Sequence, residues 1–360
     1  MDVAGRLDRL RARLDESGPG TLLVTHLTNV RYLTGFTGSA AMLVVTAHRA
    51  ALVTDGRYDE QASGELEAAG VDAEVRIGRT LAAQDDLLRE LLAGAGPIGL
   101  EADHVTWSDQ RRLAELLDGA DLVPTSRVVE ALRERKDPGE VARIEAAAAI
   151  ADAALDAVLP LLDDGPSEAA FGAALDQAMR ARGADDVSFP TIVATGPNGS
   201  RPHHQPGDRR IERGDLLVLD FGALVDGYHS DMTRTVPVGG REALDDTRTR
   251  ILDVVTEAQA AGVDAVAAGQ PVAGVDAACR AVIDAAGWGD AFVHGTGHGV
   301  GLDIHESPGV SGTATATLAA GQVITVEPGV YLPGHGGARV EDTVVVTESG
   351  CRPLTRAPKL

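Results

Sequence analysis

The run Phe292-Val293-His294-Gly295-Thr296-Gly297-His298-Gly299-Val300-Gly301-Leu302-Asp303-Ile304-His305-Glu306 carries three of the chain's ten histidines, interleaved with four glycines. His294 and His298 are four residues apart, a spacing that would place both imidazoles on one helix face. A helix is nevertheless not expected, because each glycine there costs about 1 kcal/mol relative to alanine. Glycines suit a backbone that passes close to another group while the histidines face a site.

Outward from this run, acidic residues stand at the ends of apolar segments. Leu216-Leu217-Val218-Leu219-Asp220 is a strand pattern that runs into an aspartate, and Asp231 follows across the turn Asp226-Gly227. Two adjacent strands would bring these carboxylates together. Val323-Ile324-Thr325-Val326-Glu327 repeats the device, and Arg339-Val340-Glu341 supplies a further acid before a β-branched stretch. A buried carboxylate is costly unless it is paired or bound to a cation. Four carboxylates with one imidazole form an oxygen-rich set, which favours Mn²⁺, Co²⁺ or Fe²⁺ over a thiolate-bound structural zinc. They also carry more charge than one divalent ion requires, so two ions sharing bridging carboxylates are expected.

The totals restrict what surrounds such a site. With 360 residues, 44% hydrophobic and 24% charged, two globular domains are expected. The net charge of −22 argues against a nucleic-acid partner, which requires a basic face. No apolar stretch approaches the ~20 residues needed to span a bilayer, so no membrane partner is expected. No signal-peptide pattern opens the chain, and the two cysteines, Cys279 and Cys351, form no metal or redox motif. A cytoplasmic location fits these features.

Along the chain, residues 1–128 alternate helix and strand, as in an α/β domain with a mixed sheet. Within them, Asn29 to Ser39 reads as a turn-rich connection, and Thr106 as the cap of a helix through Leu117. Residues 129–360 read as an α+β domain, entered through Asp137-Pro138-Gly139-Glu140, a strong helix start. Its helices run to about Leu159, from Ser167 to near Gly183, and over 246–267 and 272–286. Strands are expected at 191–195, 216–221, 322–326 and 340–347.

The segments 216–235, 292–306, 322–331 and 337–347 resemble the motifs of the pita-bread metallopeptidases, peptidase family M24. Within that group the chain most resembles Xaa-Pro aminopeptidases and Xaa-Pro dipeptidases (prolidases), over nearly its whole length. Arg31–Ser39, Thr54–Tyr58 and Lys136–Glu140 are similar to the N-terminal creatinase-type domain and to the usual entry into the catalytic domain. The resemblance implies Asp220 as bidentate ligand of one metal, Asp231 and Glu341 as bridging ligands, and His298 and Glu327 as ligands of the other. It implies Mn²⁺ first, with Co²⁺, Fe²⁺ or Zn²⁺ as alternatives. His294 and His305 match histidines that contact substrate and the tetrahedral intermediate, and Arg339 matches an arginine that steadies the ligands. His203 aligns with a further substrate-contacting histidine, although a shift of one place would select His204.

Coordination lowers a water's pKa to about 7, so the expected chemistry is attack on an Xaa-Pro bond by a metal-bridging hydroxide. His305 would stabilise the oxyanion and Glu327 would relay the proton. The expected enzyme is an Xaa-Pro aminopeptidase acting on peptides with proline in second position, as a homodimer. An Xaa-Pro dipeptidase is the alternative, and a non-catalytic binding module of the same fold is a remote one. The expectation for a serine or cysteine nucleophile is negative, since the chain has no GxSxG elbow and no cysteine in a histidine-rich setting.

Overall fold

The computed structural model describes residues 3–359, apart from the side chains of Glu16 and Ser17. The chain divides into two compact units, one through Arg133 and one from Glu134 onward.

In the first unit, strand patterns of Leu, Val and Ala build one six-stranded mixed sheet. Its order is Glu74–Ile77, Ala50–Thr54, Ala41–Thr46, Thr21–Val24, Ile98–Glu101, Leu122–Thr125. The inner strands Thr21–Val24 and Ala50–Thr54 are buried along their whole length, as expected of strands covered on both faces. The helix Trp107–Leu116 starts where the sequence places it, with the Thr106 hydroxyl accepting from the Asp109 N–H. One expectation is corrected. Within the stretch from Asn29 to Ser39, residues up to Thr34 belong to a helix, Leu27–Thr34. Asn29, Val30, Tyr32, Leu33 and Thr34 are buried, and Gly35 ends the helix in the left-handed conformation at φ 78°. Tertiary burial outweighs the weak local propensity of a segment containing Asn, Thr, Val and Tyr.

The second unit opens with the helix Pro138–Val158, whose Asp137 and Glu140 form a reciprocal capping box. This helix and Glu168–Ala181 pack on the antiparallel strands Ile192–Thr195, Leu216–Phe221 and Met232–Pro237 around Phe171, Leu175, Leu217, Leu219 and Phe221. The later half repeats the arrangement. Asp246–Asp264 and Val272–Ala285 cover strands of a second antiparallel sheet, Gly297–Gly299, Val323–Val326 and Asp342–Thr347, around Val255, Val275, Ile324 and Val344.

The two halves are joined along their inner edges. The Glu341 N–H donates to the Thr233 carbonyl at 3.1 Å, and the Thr343 hydroxyl to the Asp231 carbonyl at 2.8 Å. Arg234 is buried behind this seam and donates to the carbonyls of Glu341 and Ala357 and, at 2.8 Å, to Asp342. Among the described residues no helix is long and apolar enough to cross a membrane.

Candidate metal centre

Each acid of interest sits where a strand delivers it. Asp220 lies near the end of Leu216–Phe221 and opposite Thr233 in the antiparallel partner strand, with Asp231 one residue before that strand begins. The expectation that neighbouring strands bring these two carboxylates together is met. Glu327 follows Val323–Val326 and Glu341 precedes Asp342–Thr347, and these two strands pair with Val326 opposite Asp342. Four carboxylates therefore converge from four strand ends.

The histidine run is not helical. Gly297–Gly299 is a short strand between Glu306–Val310 and Val323–Val326, and the glycines are what let it fit. A Cβ on Gly297 would lie 2.1 Å from the Thr325 carbonyl oxygen, and one on Gly299 2.3 Å from that of Ser307. His298 thereby enters the acid cluster. Its Nδ1 pairs with the Gly299 carbonyl at 3.0 Å, which fixes the proton there and leaves Nε2 as the ligating nitrogen. Nε2 is 3.5 Å from Asp231 and 3.4 Å from Glu327. One ligand atom each from Asp231, His298 and Glu341 falls within 4.8 Å of the others.

The electrostatics of the cluster favour a bound cation. Burial, reinforced by Glu341, Asp220 and Glu327, pushes the Asp231 carboxyl well above the usual range. Burial followed by Glu327 and Asp220 does the same to Glu341. Glu327 is raised to about 7 by burial and then Asp220, against the pull of Arg339. Asp220 Oδ1 and Glu341 Oε1 are buried with no hydrogen-bond partner. Orphaned buried oxygens amid mutually repelling acids are the signature of ligands for a positive ion, so these residues fit divalent metal.

A second tier of side chains holds the first. Arg339, 3% exposed, donates to Asp220 at 2.7 Å, to the Thr233 hydroxyl at 3.0 Å and to the Tyr331 hydroxyl at 2.9 Å. Burial works against its charge, but Tyr331, Asp220 and Glu327 outweigh that and raise its pKa. The Thr233 hydroxyl in turn donates to Glu341 at 2.7 Å. Tyr331 is a site residue that sequence reasoning did not single out, although it stands four residues after Glu327 in the same strand-rich segment.

The remaining histidines separate by their contacts. His294 lines the cleft, yet Nδ1 pairs with the Gly295 carbonyl at 2.7 Å and Nε2 with the Tyr331 hydroxyl at 2.8 Å. Burial lowers its pKa to about 4, so the ring is neutral. A substrate hydrogen bond from His294 therefore requires one of these two contacts to be exchanged. His305 is exposed, with its ring centroid 4.4 Å from that of His298. His203 lines the same cleft. Its neighbour His204 pairs with the buried Glu168 at 2.8 Å, and Glu168 also accepts from the N–H groups of Thr195 and Gly207 and from Asn198. His204 thus anchors the loop and His203 is left facing the site. Of the two, His203 lines the cleft and His204 is held by a carboxylate 36 residues away.

The cleft has a volume of about 390 Å³. All nine residues singled out from the sequence line it: Asp220, Asp231, His298, Glu327 and Glu341 with His203, His294, His305 and Arg339. Phe189, Pro190, Ile192 and Ile304 supply apolar wall. A carboxylate–imidazole cluster lining a cleft fits a metal-dependent enzyme. Residues 142–348 match metallopeptidase family M24, and residues 6–135 match the creatinase/prolidase N-terminal domain. The chain belongs to metallopeptidase family M24 and is a metal-dependent exopeptidase.

The chain is 34% identical over 355 residues to a Xaa-Pro dipeptidase of Pyrococcus furiosus, covering 98% of each chain. Among solved structures it resembles a Xaa-Pro dipeptidase from Bacillus anthracis at 39% identity and TM-score 0.94, with 99% of this chain and 98% of that one covered. An X-Pro aminopeptidase from Thermotoga maritima follows at 33% identity and TM-score 0.88, with coverage of 97% and 99%.

Proposed function

We propose that this protein is a Xaa-Pro dipeptidase that uses two divalent cations, Mn²⁺ foremost. The observation that carries the reading is the convergence of four carboxylates and one imidazole, two of the carboxylate oxygens buried and unpartnered, under a cleft of about 390 Å³. The preference for the dipeptidase over the aminopeptidase expected from sequence follows the relatives. Dipeptidases from two organisms match at 34% and 39% identity. The aminopeptidase remains the second reading, favoured by the Thermotoga maritima structure.

Asp220, Asp231 and Glu341 would hold one cation, and Asp231, Glu341, His298 and Glu327 the other. Bound there, the cations supply an acidified water and polarisation of the scissile carbonyl. The chain's own residues do the rest. Glu327 accepts the proton of the attacking water and hands it to the leaving proline nitrogen. His305, at the open side of the cluster, donates a hydrogen bond to the developing oxyanion. Arg339 keeps Asp220 oriented through its 2.7 Å contact. Tyr331 holds His294, which burial keeps neutral, in place beside the ring of the substrate. Phe189, Pro190 and Ile192 give the proline ring an apolar surface. A site shaped to that ring leaves no donor unpaired, because proline's nitrogen carries no hydrogen in the peptide.

The test is kcat/KM for Xaa-Pro, Xaa-Pro-Yaa and Xaa-Ala on Mn²⁺-loaded enzyme. The dipeptidase reading expects Xaa-Pro to be preferred by at least an order of magnitude. Equal or faster cleavage of Xaa-Pro-Yaa would identify an aminopeptidase instead, and equal cleavage of Xaa-Ala overturns proline direction.

A further inference from the structure

Two lysines occur among 32 basic side chains of the Lys and Arg type. One of them, Lys136, is buried in the second unit with its side chain 1% exposed. Its ammonium lies 2.9 Å from Glu306 Oε2, and the Glu306 side chain is 7% exposed. Lysine is almost never fully buried without a partner, and a buried pair of this kind gives little net stability. Its location suggests another use.

Glu306 directly follows His305. Its other oxygen, Oε1, accepts the Asp303 N–H at 3.1 Å, so the carboxylate folds back across the turn that leads to His305. It lies on the face of Gly301, where a Cβ would come within 2.6 Å of both carboxylate oxygens. Gly301 itself is tied in place, donating to the Asp303 carbonyl at 3.1 Å and accepting the His229 N–H at 2.9 Å. At the other end, the Lys136 N–H donates to the Gly321 carbonyl at 2.8 Å, which fixes the lysine to the segment before Val323–Val326. His305 is the exposed tip of a loop whose base is a buried ion pair.

The geometry points to Lys136 as a positioning residue for the reaction. By neutralising Glu306 it holds the 301–306 loop in the one conformation that puts the His305 ring against His298. The inference rests on the oxyanion role given to His305 above. Without the ammonium, the buried Glu306 charge loses the cation beside it. The carboxylate then turns toward solvent, the Asp303 contact is lost, and His305 is no longer held in register with the metal ligands. Asp220, Asp231, Glu327 and Glu341 stand at strands other than Glu306–Val310, and His298 keeps its contacts with Thr325 and Gly299, so the metal ligands are expected to stay in place.

The experiment is a double-mutant cycle with Lys136→Met and His305→Ala in the metal-loaded full chain, read as kcat, KM and metal content. Lys136→Met is expected to lower kcat about 10–100-fold, the range seen when groups that orient a site are removed. KM should change little and metal content should be unchanged. Placed on His305→Ala, Lys136→Met should lower kcat by less than about 2-fold more, because it acts through that ring. Lys136→Arg should restore most of kcat. If Lys136→Met does not fold, the paired variant Lys136→Met/Glu306→Ala removes both charges together, and the Asp303 contact with them. It is expected to fold while kcat stays low.

Lys136→Met effects that multiply in full with His305→Ala would overturn the inference and leave the oxyanion role of His305 intact. A wild-type kcat in Lys136→Met or in the paired variant would do the same. A His305→Ala variant with undiminished kcat would overturn the oxyanion role itself, and the inference with it.

Discussion

Removing the charge of Glu327 should make the metal-free protein more stable, and by an amount that depends on pH. Burial and Asp220 raise the Glu327 carboxyl from 4.5 to about 7. Between those values the native state holds a proton that the unfolded chain has released, so the stability of the metal-free protein falls as pH rises through this window. At about 1.4 kcal/mol per unit, the penalty above neutrality is about 3 kcal/mol. Glu327→Gln abolishes it. Near pH 4 both metal-free proteins should therefore melt together. Near pH 8 the variant should melt higher by roughly 6–12 °C, taking about 2–4 °C per kcal/mol for a unit of this size. The assay is scanning calorimetry of the chelator-treated proteins across this pH range. Saturating divalent cation should reverse the order near pH 8, because the wild type gains a ligand interaction that the variant lacks. A difference that is independent of pH, or a variant less stable than the wild type without metal, would refute the electrostatic reasoning.

Three further outcomes are expected. Asp231→Asn and Glu341→Gln should each lower metal content to one ion per chain or less and reduce kcat by at least 100-fold, measured by elemental analysis alongside turnover. Arg339→Met, which unties Asp220, Thr233 and Tyr331, should weaken metal affinity about 10–100-fold without preventing folding, measured by metal titration. Glu168→Gln should cost about 1–3 kcal/mol in stability and raise KM while leaving metal content unchanged, because it loosens the loop that carries His203; melting curves and substrate kinetics check this.

The parts of the site legible from sequence were those with a local signature. Asp220 and Glu327 each terminate an apolar run, a pattern that is costly unless the acid has a use, and the glycines around His298 mark a close approach that the structure supplies from Thr325 and Ser307. The strands Leu216–Phe221 and Ala41–Thr46 coincide with their patterns, since their buried stretches Leu216–Leu219 and Leu43–Val45 dictate an apolar composition. What the sequence hid depends on distant partners. The helix Leu27–Thr34 is held by tertiary burial. The role of His204 depends on Glu168, and that of Tyr331 on Arg339 and His294. No local signal marks Lys136, and only its contact with Glu306, 170 residues away, draws attention to it. The strands Gly329–Leu332 and Gly336–Arg339 also went unread, because their glycines depress strand propensity. One of these, Gly337, would set a Cβ 2.4 Å from the Gly199 carbonyl oxygen, so close packing of backbones decides the residue.

The central claim is that Asp220, Asp231, His298, Glu327 and Glu341 form one dinuclear metal centre. Its most direct test is the metal stoichiometry of chelated and Mn²⁺-reloaded protein, measured together with Xaa-Pro hydrolysis at each point of the titration. The predicted result is two ions per chain at saturation, hydrolysis that vanishes on chelation and returns with metal, and loss of both properties in Asp231→Asn. Hydrolysis that persists in metal-free protein, or full uptake of two ions by Asp231→Asn, would contradict it.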